Sequence, residues 1–283
     1  MRVFMRFPNG LAKALTLSYD DGVVQDERMI ALLDRNGIKA TFNLNSGLYP
    51  TSDTVFAEGD PNRKLTKEQA TMLYTDCGHE VAMHGLTHAF MEKLPNDCAL
   101  FEALEDRKNL EQQFHRPIRG LAYPWGTYSD KTVDVLKKAG VSYARTTCAT
   151  EDFRLPENWL LWNPTCHHFC PRLMQLAGSF ANGSPIQDPY QRSSWLFYLW
   201  GHSYEFDAVG SWKVIEDFAQ YIGNREDIWY ATNGDIYNYV ESYRHLDWTL
   251  TGDAVFNPTA LPIWFEVGEE IYCVQPGDFL QIE

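Results

Sequence analysis

Residues 15–22 read LTLSYDDG: alternating apolar and hydroxyl residues run into two adjacent carboxylates, Asp20 and Asp21, and then a glycine. A turn needs only one acid, and like charges side by side repel. The pair makes chemical sense beside a cation, which offsets that repulsion. His84 and His88, four residues apart in EVAMHGLTH, supply imidazoles of the kind that bind zinc or a similar ion. A segment turned like a helix would aim both at one point. One carboxylate then completes a His₂–carboxylate set for one divalent metal ion, zinc first, with positions left for water. The other stays free to take a proton from water that the ion makes acidic. A later histidine, His202 in YLWGHSYEF, is placed to protonate a leaving amine.

Positioning these groups needs a frame, and hydrophobic periodicity outlines one. It switches repeatedly between short β-like runs and amphipathic helical stretches. The strands expected are Ala14–Tyr19, Lys39–Leu44, Glu80–Met83, Gly120–Tyr123, Ser142–Thr146, Trp195–Trp200 and Ile228–Ala231. The helices expected between and after them are Glu27–Arg35, Thr66–Tyr74, Asn96–Phe114, Asp130–Ala139, Pro171–Phe180, Lys213–Ile222 and Asp235–Tyr243. TKEQ at the head of the second is a capping box, and Gly37 and Gly140 stop the first and fourth. Strands alternating with helices imply a parallel sheet, since parallel neighbours need crossover connections. At this length closure into a barrel is the economical arrangement. Asp20 and Asp21 follow the first strand, His84 the third, Tyr123-Pro124-Trp125 the fourth and His202 the sixth. All fall at carboxyl ends of strands, where α/β barrels build active sites.

SYDDG, the HGLTH histidine pair, the AYPWG turn and the late GHS histidine, in this order, resemble the polysaccharide deacetylase family (carbohydrate esterase family 4) over about residues 12–240. The resemblance implies an α/β fold, a distorted (β/α)₇ barrel, and removal of N- or O-linked acetyl groups from a carbohydrate. It casts Asp20 as general base, Asp21, His84 and His88 as metal ligands, and His202 as general acid. Tyr123, Pro124 and Trp125 would border the substrate, with the Trp125 backbone N–H on the oxyanion, and Trp200 would line the acetyl pocket. Three positions depart from the family pattern. Ala122 stands where an arginine usually pairs with the base, and Arg119 falls at the far end of the strand. Trp200 replaces a leucine. The acid that tunes the late histidine is not recognisable, Asp152 in ATEDF being a weak stand-in. A base lacking its arginine should have a raised pKa.

Residues 1–245 are expected to form the catalytic barrel and 246–283 a short β-rich C-terminal appendage, from the Gly-punctuated LPIWFEVGEEIYCVQPGDFLQIE. With 38 acidic against 24 basic residues, the formal charge of −14 disfavours nucleic acid and anionic membrane as partners and leaves an acetylated sugar or oligosaccharide as the expected one. No apolar run reads as a leader or a membrane span, so a cytoplasmic protein with reduced thiols is the expectation. Cys166 and Cys170 flank His167 and His168 in CHHFC, a spacing that could hold a metal, and those histidines could touch substrate. Trp125, Trp162 and Trp200 are candidate sugar-stacking surfaces. Competing readings are a hydrolase of a non-sugar amide or cyclic imide, and a sugar-binding barrel without turnover.

Overall fold

The computed structural model describes residues 2–51, 53–185 and 193–282. Its strands are β1 Val3–Arg6, β2 Lys13–Asp20, β3 Ala40–Leu44, β4 Glu80–Met83, β5 Gly120–Ala122, β6 Tyr143–Arg145, β7 Cys166–His167, β8 Trp195–Gly201, β9 Trp229–Tyr230, β10 Asp247–Trp248, β11 Ala254–Phe256, β12 Ile263–Val267, β13 Glu270–Val274 and β14 Phe279–Gln281. The helices are α1 Asp26–Arg35, α2 Lys67–Tyr74, α3 Asn96–Phe114, α4 Asp130–Lys138, α5 Leu173–Asn182, α6 Tyr204–Ala208, α7 Trp212–Ile222 and α8 Asn233–Arg244. The expected capping box forms on α2, with Thr66 accepting from the Gln69 N–H while Gln69 accepts from the Thr66 N–H.

The parallel sheet runs β6-β5-β4-β3-β2-β8-β7, with β9 also against β2. β2 is central and all eight of its residues are buried. That is why its sequence is apolar and hydroxyl from Ala14 to Tyr19 and why its charged residues, Lys13 and Asp20, stand only at its two ends. The sheet curls into the distorted (β/α)₇ barrel. Trp162 bonds Ala144 and Thr146 on one side, and Cys166 and His167 pair with Leu199 and Trp200 on the other. A single stretch, 162–167, therefore spans the two edges. The two-residue strand β7 was not among the expected strands, because two residues carry no periodicity.

The chain beyond α8 forms two small antiparallel sheets, β10-β11-β14 and β1-β12-β13. The second takes its first strand from the N-terminus, Val3 pairing with Val267 and Arg6 with Trp264. A buried Arg6–Glu266 ion pair ties β1 to β12, and a core of Phe7, Tyr239, Ile263 and Phe265 joins these strands to α8 of the barrel.

Candidate active site

Asp20 is the last residue of β2, and Asp21 turns the chain out of the strand at φ 84°, a left-handed conformation carried on by Gly22 at φ 64°. The two carboxylates therefore leave the backbone in different directions and acquire different neighbours. Asp20 is 2 % exposed. Its Oδ1 accepts from Asn43 Nδ2 at 2.8 Å, and its Oδ2 forms an ion pair with the Arg145 guanidinium. The Nε2 atoms of His84 and His202 both lie 3.8 Å from Oδ2. Burial pushes this carboxyl up, but Arg145 first, then His84 and His202, more than reverse it and hold it below the ordinary aspartate value.

This overturns the expectation that Asp20 lacks a guanidinium and has a raised pKa. Ala122 and Arg145 are register partners on β5 and β6. The arginine missing from one strand arrives from the next, at the same level of the barrel. It is locked there by burial and by Trp200, whose ring lies 4.4 Å from the guanidinium carbon.

His84 follows β4, and its Nδ1 lies 2.9 Å from the Ala122 carbonyl. A carbonyl only accepts, so Nδ1 carries the proton and Nε2 presents a lone pair to the pocket. His88 Nε2 is 3.1 Å from His84 Nε2. Residues 84–88 do not turn as a helix. Gly85 at φ 76° and His88 at φ 55° fold an irregular loop, pinned where Glu102 accepts from the Thr87 N–H and hydroxyl. Burial keeps both imidazoles below the ordinary histidine value, His88 at about 4, so neither needs to lose a proton to ligate at neutral pH. Asp21, His84 and His88 bring one donor atom each within 4.8 Å of one another. Two imidazoles with a fixed tautomer and one carboxylate are a donor set that zinc accepts, and a cation already sits at the carboxylate: Lys64 Nζ is 2.9 Å from Asp21 Oδ1. Burial pushes the Asp21 carboxyl up, but Lys64 and then His84 bring it down to about 2.

His202 lies between β8 and α6. Its Nδ1 is 3.2 Å from Glu205 Oε2, which also accepts from the His202 backbone N–H at 3.1 Å. Burial pulls this imidazole down, yet Glu205, Asp20 and Asp21 together raise it above the ordinary histidine value. Asp152 takes no part, being paired with the exposed Arg154. Glu205, three residues after His202, was legible as a His-x-x-Glu spacing across a helix start.

CHHFC resolves differently from either expectation. His167 Nε2 donates to Glu205 Oε2 at 3.1 Å, because its Nδ1 accepts from the Phe169 N–H and so carries no proton. His168 is fully buried, with Nε2 3.2 Å from the same oxygen. His167, His168 and Glu205 are close enough to share an ion, but the His167 tautomer points a proton at that position, and neither cysteine belongs to the group. Thus His167 and His168 support Glu205. Trp162 is 1 % exposed and packs on Tyr143 and Tyr198, which removes it as a stacking surface.

Asp20, Asp21, Lys64, His84, His88, His202, Tyr123, Trp125 and Trp200 line one cavity of about 350 Å³. The Tyr123 hydroxyl is tied to the Leu160 carbonyl at 2.9 Å. Pro124 is buried. Trp125 adopts φ 61° and is 57 % exposed, its ring stacked on Phe90 at 4.8 Å and its Nε1 donating to the His88 carbonyl. Among the described residues no helix is long and apolar enough to cross a membrane.

No curated protein matches the chain significantly. Among solved structures, a Mycobacterium smegmatis protein described as a polysaccharide deacetylase aligns over 84% of this chain and 93% of its own, with TM-score 0.58 and 15% identity. The Xyl-CE4 domain of a multidomain xylanase from the hindgut metagenome of Trinervitermes trinervoides aligns over 81% and 92%, with TM-score 0.50 and 12% identity. A Streptococcus pyogenes deacetylase solved with acetate is 22% identical, with TM-score 0.44, over 52% of this chain; the match spans 61% of that protein's length. At these identities the likeness is one of fold. Residues 8–144, which carry SYDDG, HGLTH and AYPWG, match the family model described as polysaccharide deacetylase.

Proposed function

We propose that this protein is a metal-dependent hydrolase that removes N- or O-linked acetyl groups from a carbohydrate. The observation that carries the reading is the meeting in one cavity of Asp20, held from behind by Arg145, of Asp21 with His84 and His88, and of His202, held from behind by Glu205. In this reading Asp21, His84 and His88 hold a divalent ion, zinc by preference. When bound, such an ion supplies a water acidified toward a pKa of about 7 and polarises the acetyl carbonyl. Asp20, kept ionised by Arg145, takes the proton of the attacking water. The Trp125 backbone N–H contributes to holding the oxyanion. His202, kept protonated by Glu205, delivers a proton to the departing amine or alkoxide. Trp200, backed by the buried Arg145 guanidinium, walls the acetyl end, and the Trp125–Phe90 stack offers an apolar face to a sugar ring.

The test is acetate release from acetylated sugars, chitooligosaccharides and acetylated xylooligosaccharides, with zinc supplied and with a chelated control. Release that needs zinc and disappears in Asp20→Asn supports the proposal. Binding without release under zinc-replete conditions would overturn it.

A further inference from the structure

Lys64 sits where its chemistry is least expected, beside a candidate metal ligand. Its place is built by the backbone. Residues 63–65 run antiparallel to 22–24: Val24 N–H donates to the Arg63 carbonyl and Leu65 N–H to the Gly22 carbonyl, both at 2.9 Å, around a Val23–Lys64 bridge. That register delivers the Lys64 side chain to Asp21. Its three ammonium protons have three acceptors: Asp21 Oδ1 at 2.9 Å, the Asp21 carbonyl at 3.1 Å and Asn45 Oδ1 at 3.2 Å. All its hydrogen-bonding capacity is spent. Lys64 is therefore held in place, with no donor left for a substrate.

The charges follow from this placement. Asp20 is balanced by Arg145 and Asp21 by Lys64. Two carboxylates with one arginine would leave the cavity an excess negative charge to attract a dication. Here the lysine cancels it, and it also takes one oxygen of the carboxylate that must ligate.

We infer that Lys64 is a built-in cation at the metal site, which makes the site hold its divalent ion loosely and exchange it readily. The inference rests on Asp21, His84 and His88 being the ligands. An ammonium this close repels a dication, and removing it in a partly buried site should tighten binding by tenfold or more.

The experiment measures zinc affinity by competition with a chromophoric chelator, on wild type and on Lys64→Met, Lys64→Gln and Lys64→Arg, with circular dichroism to establish folding. Tighter binding in both neutral variants, with Lys64→Arg near wild type, is the expected result. Neutral variants that fold and bind zinc no more tightly than wild type would overturn it, and Lys64 would then be a prop for Asp21. The ligand reading is separated by His84→Ala in the Lys64→Met background, which should abolish the gain. Should that variant keep the tight zinc, the ion binds elsewhere and both readings fall; zinc binding in neither wild type nor Lys64→Met has the same meaning.

Discussion

Arg145→Met removes the guanidinium from Asp20 while keeping an unbranched side chain under Trp200. Both partners of this ion pair are nearly solvent-free, at 1 % and 2 % side-chain exposure. Screening therefore contributes little, and the carboxylate is left with Asn43 and the more distant imidazoles. Breaking a buried pair from one side costs about 3–5 kcal/mol, which for a chain of this size lowers Tm on the order of 10 °C. The carboxyl also loses the strongest influence opposing burial, so its pKa should rise. The sign follows from the depressed native value. Stability from Asp20 is present above its unfolded pKa and is lost as pH falls through the lower folded one. The acid limb of kcat/KM follows the same carboxyl, so in Arg145→Met it should move to higher pH.

The register of β5 and β6 supplies the control. Ala122 and Arg145 are partners, and side chains at paired positions of parallel strands leave the same face. The exchange Arg145→Ala with Ala122→Arg moves the guanidinium one strand over at the same height. It should restore both the acid limb and part of the lost stability, whereas Ala122→Arg alone forces a second guanidinium into a filled space and should destabilise. The assays are pH–rate profiles at saturating zinc and thermal unfolding. An acid limb unmoved in folded Arg145→Met would refute the claim that Arg145 governs Asp20.

Other perturbations separate the remaining roles. Glu205→Gln removes the carboxylate that contributes most against burial at His202, so its imidazole should titrate lower and the basic limb should shift down; NMR titration of His202 reads this directly, and an unchanged titration would sink the assignment. Stability linked to His202 is present below its unfolded pKa and lost as pH rises through the raised folded value, a span that Glu205→Gln should narrow. Asp20→Asn should keep zinc while losing about 10²-fold or more in rate, and His84→Ala should lose zinc and activity together; full zinc occupancy in His84→Ala contradicts the ligand set.

What was legible in the sequence follows the range of the signal. Apart from β7, the strands from Lys13 to Gly201 are largely buried, and their apolar runs stand out locally, so their expected bounds fall within a residue or two of those observed. β1 carries a comparable run, yet its partner β12 is more than 250 residues away, and no local pattern announces that pairing. The acids and histidines could be found because each lies at or within a few residues of a strand's carboxyl end and the barrel collects strand ends. Arg145 also ends a strand, in the short run Tyr143–Arg145. Only the register against Ala122 shows that it does the work expected of the neighbouring position.

Lys64 marks where reading by motif stops. It lies in the long excursion between β3 and α2, a stretch without regular periodicity. Its relation to Asp21 depends on the bridge to residues 22–24, which no spacing rule encodes. Motifs name the groups that meet a substrate, but the charges that set those groups come from residues that only the fold brings near. Arg145 and Lys64 each neutralise one of the paired carboxylates, so the doubled acid of SYDDG is balanced from two unrelated parts of the chain. Two adjacent aspartates are tolerable at a strand end for that reason, before any divalent ion is considered.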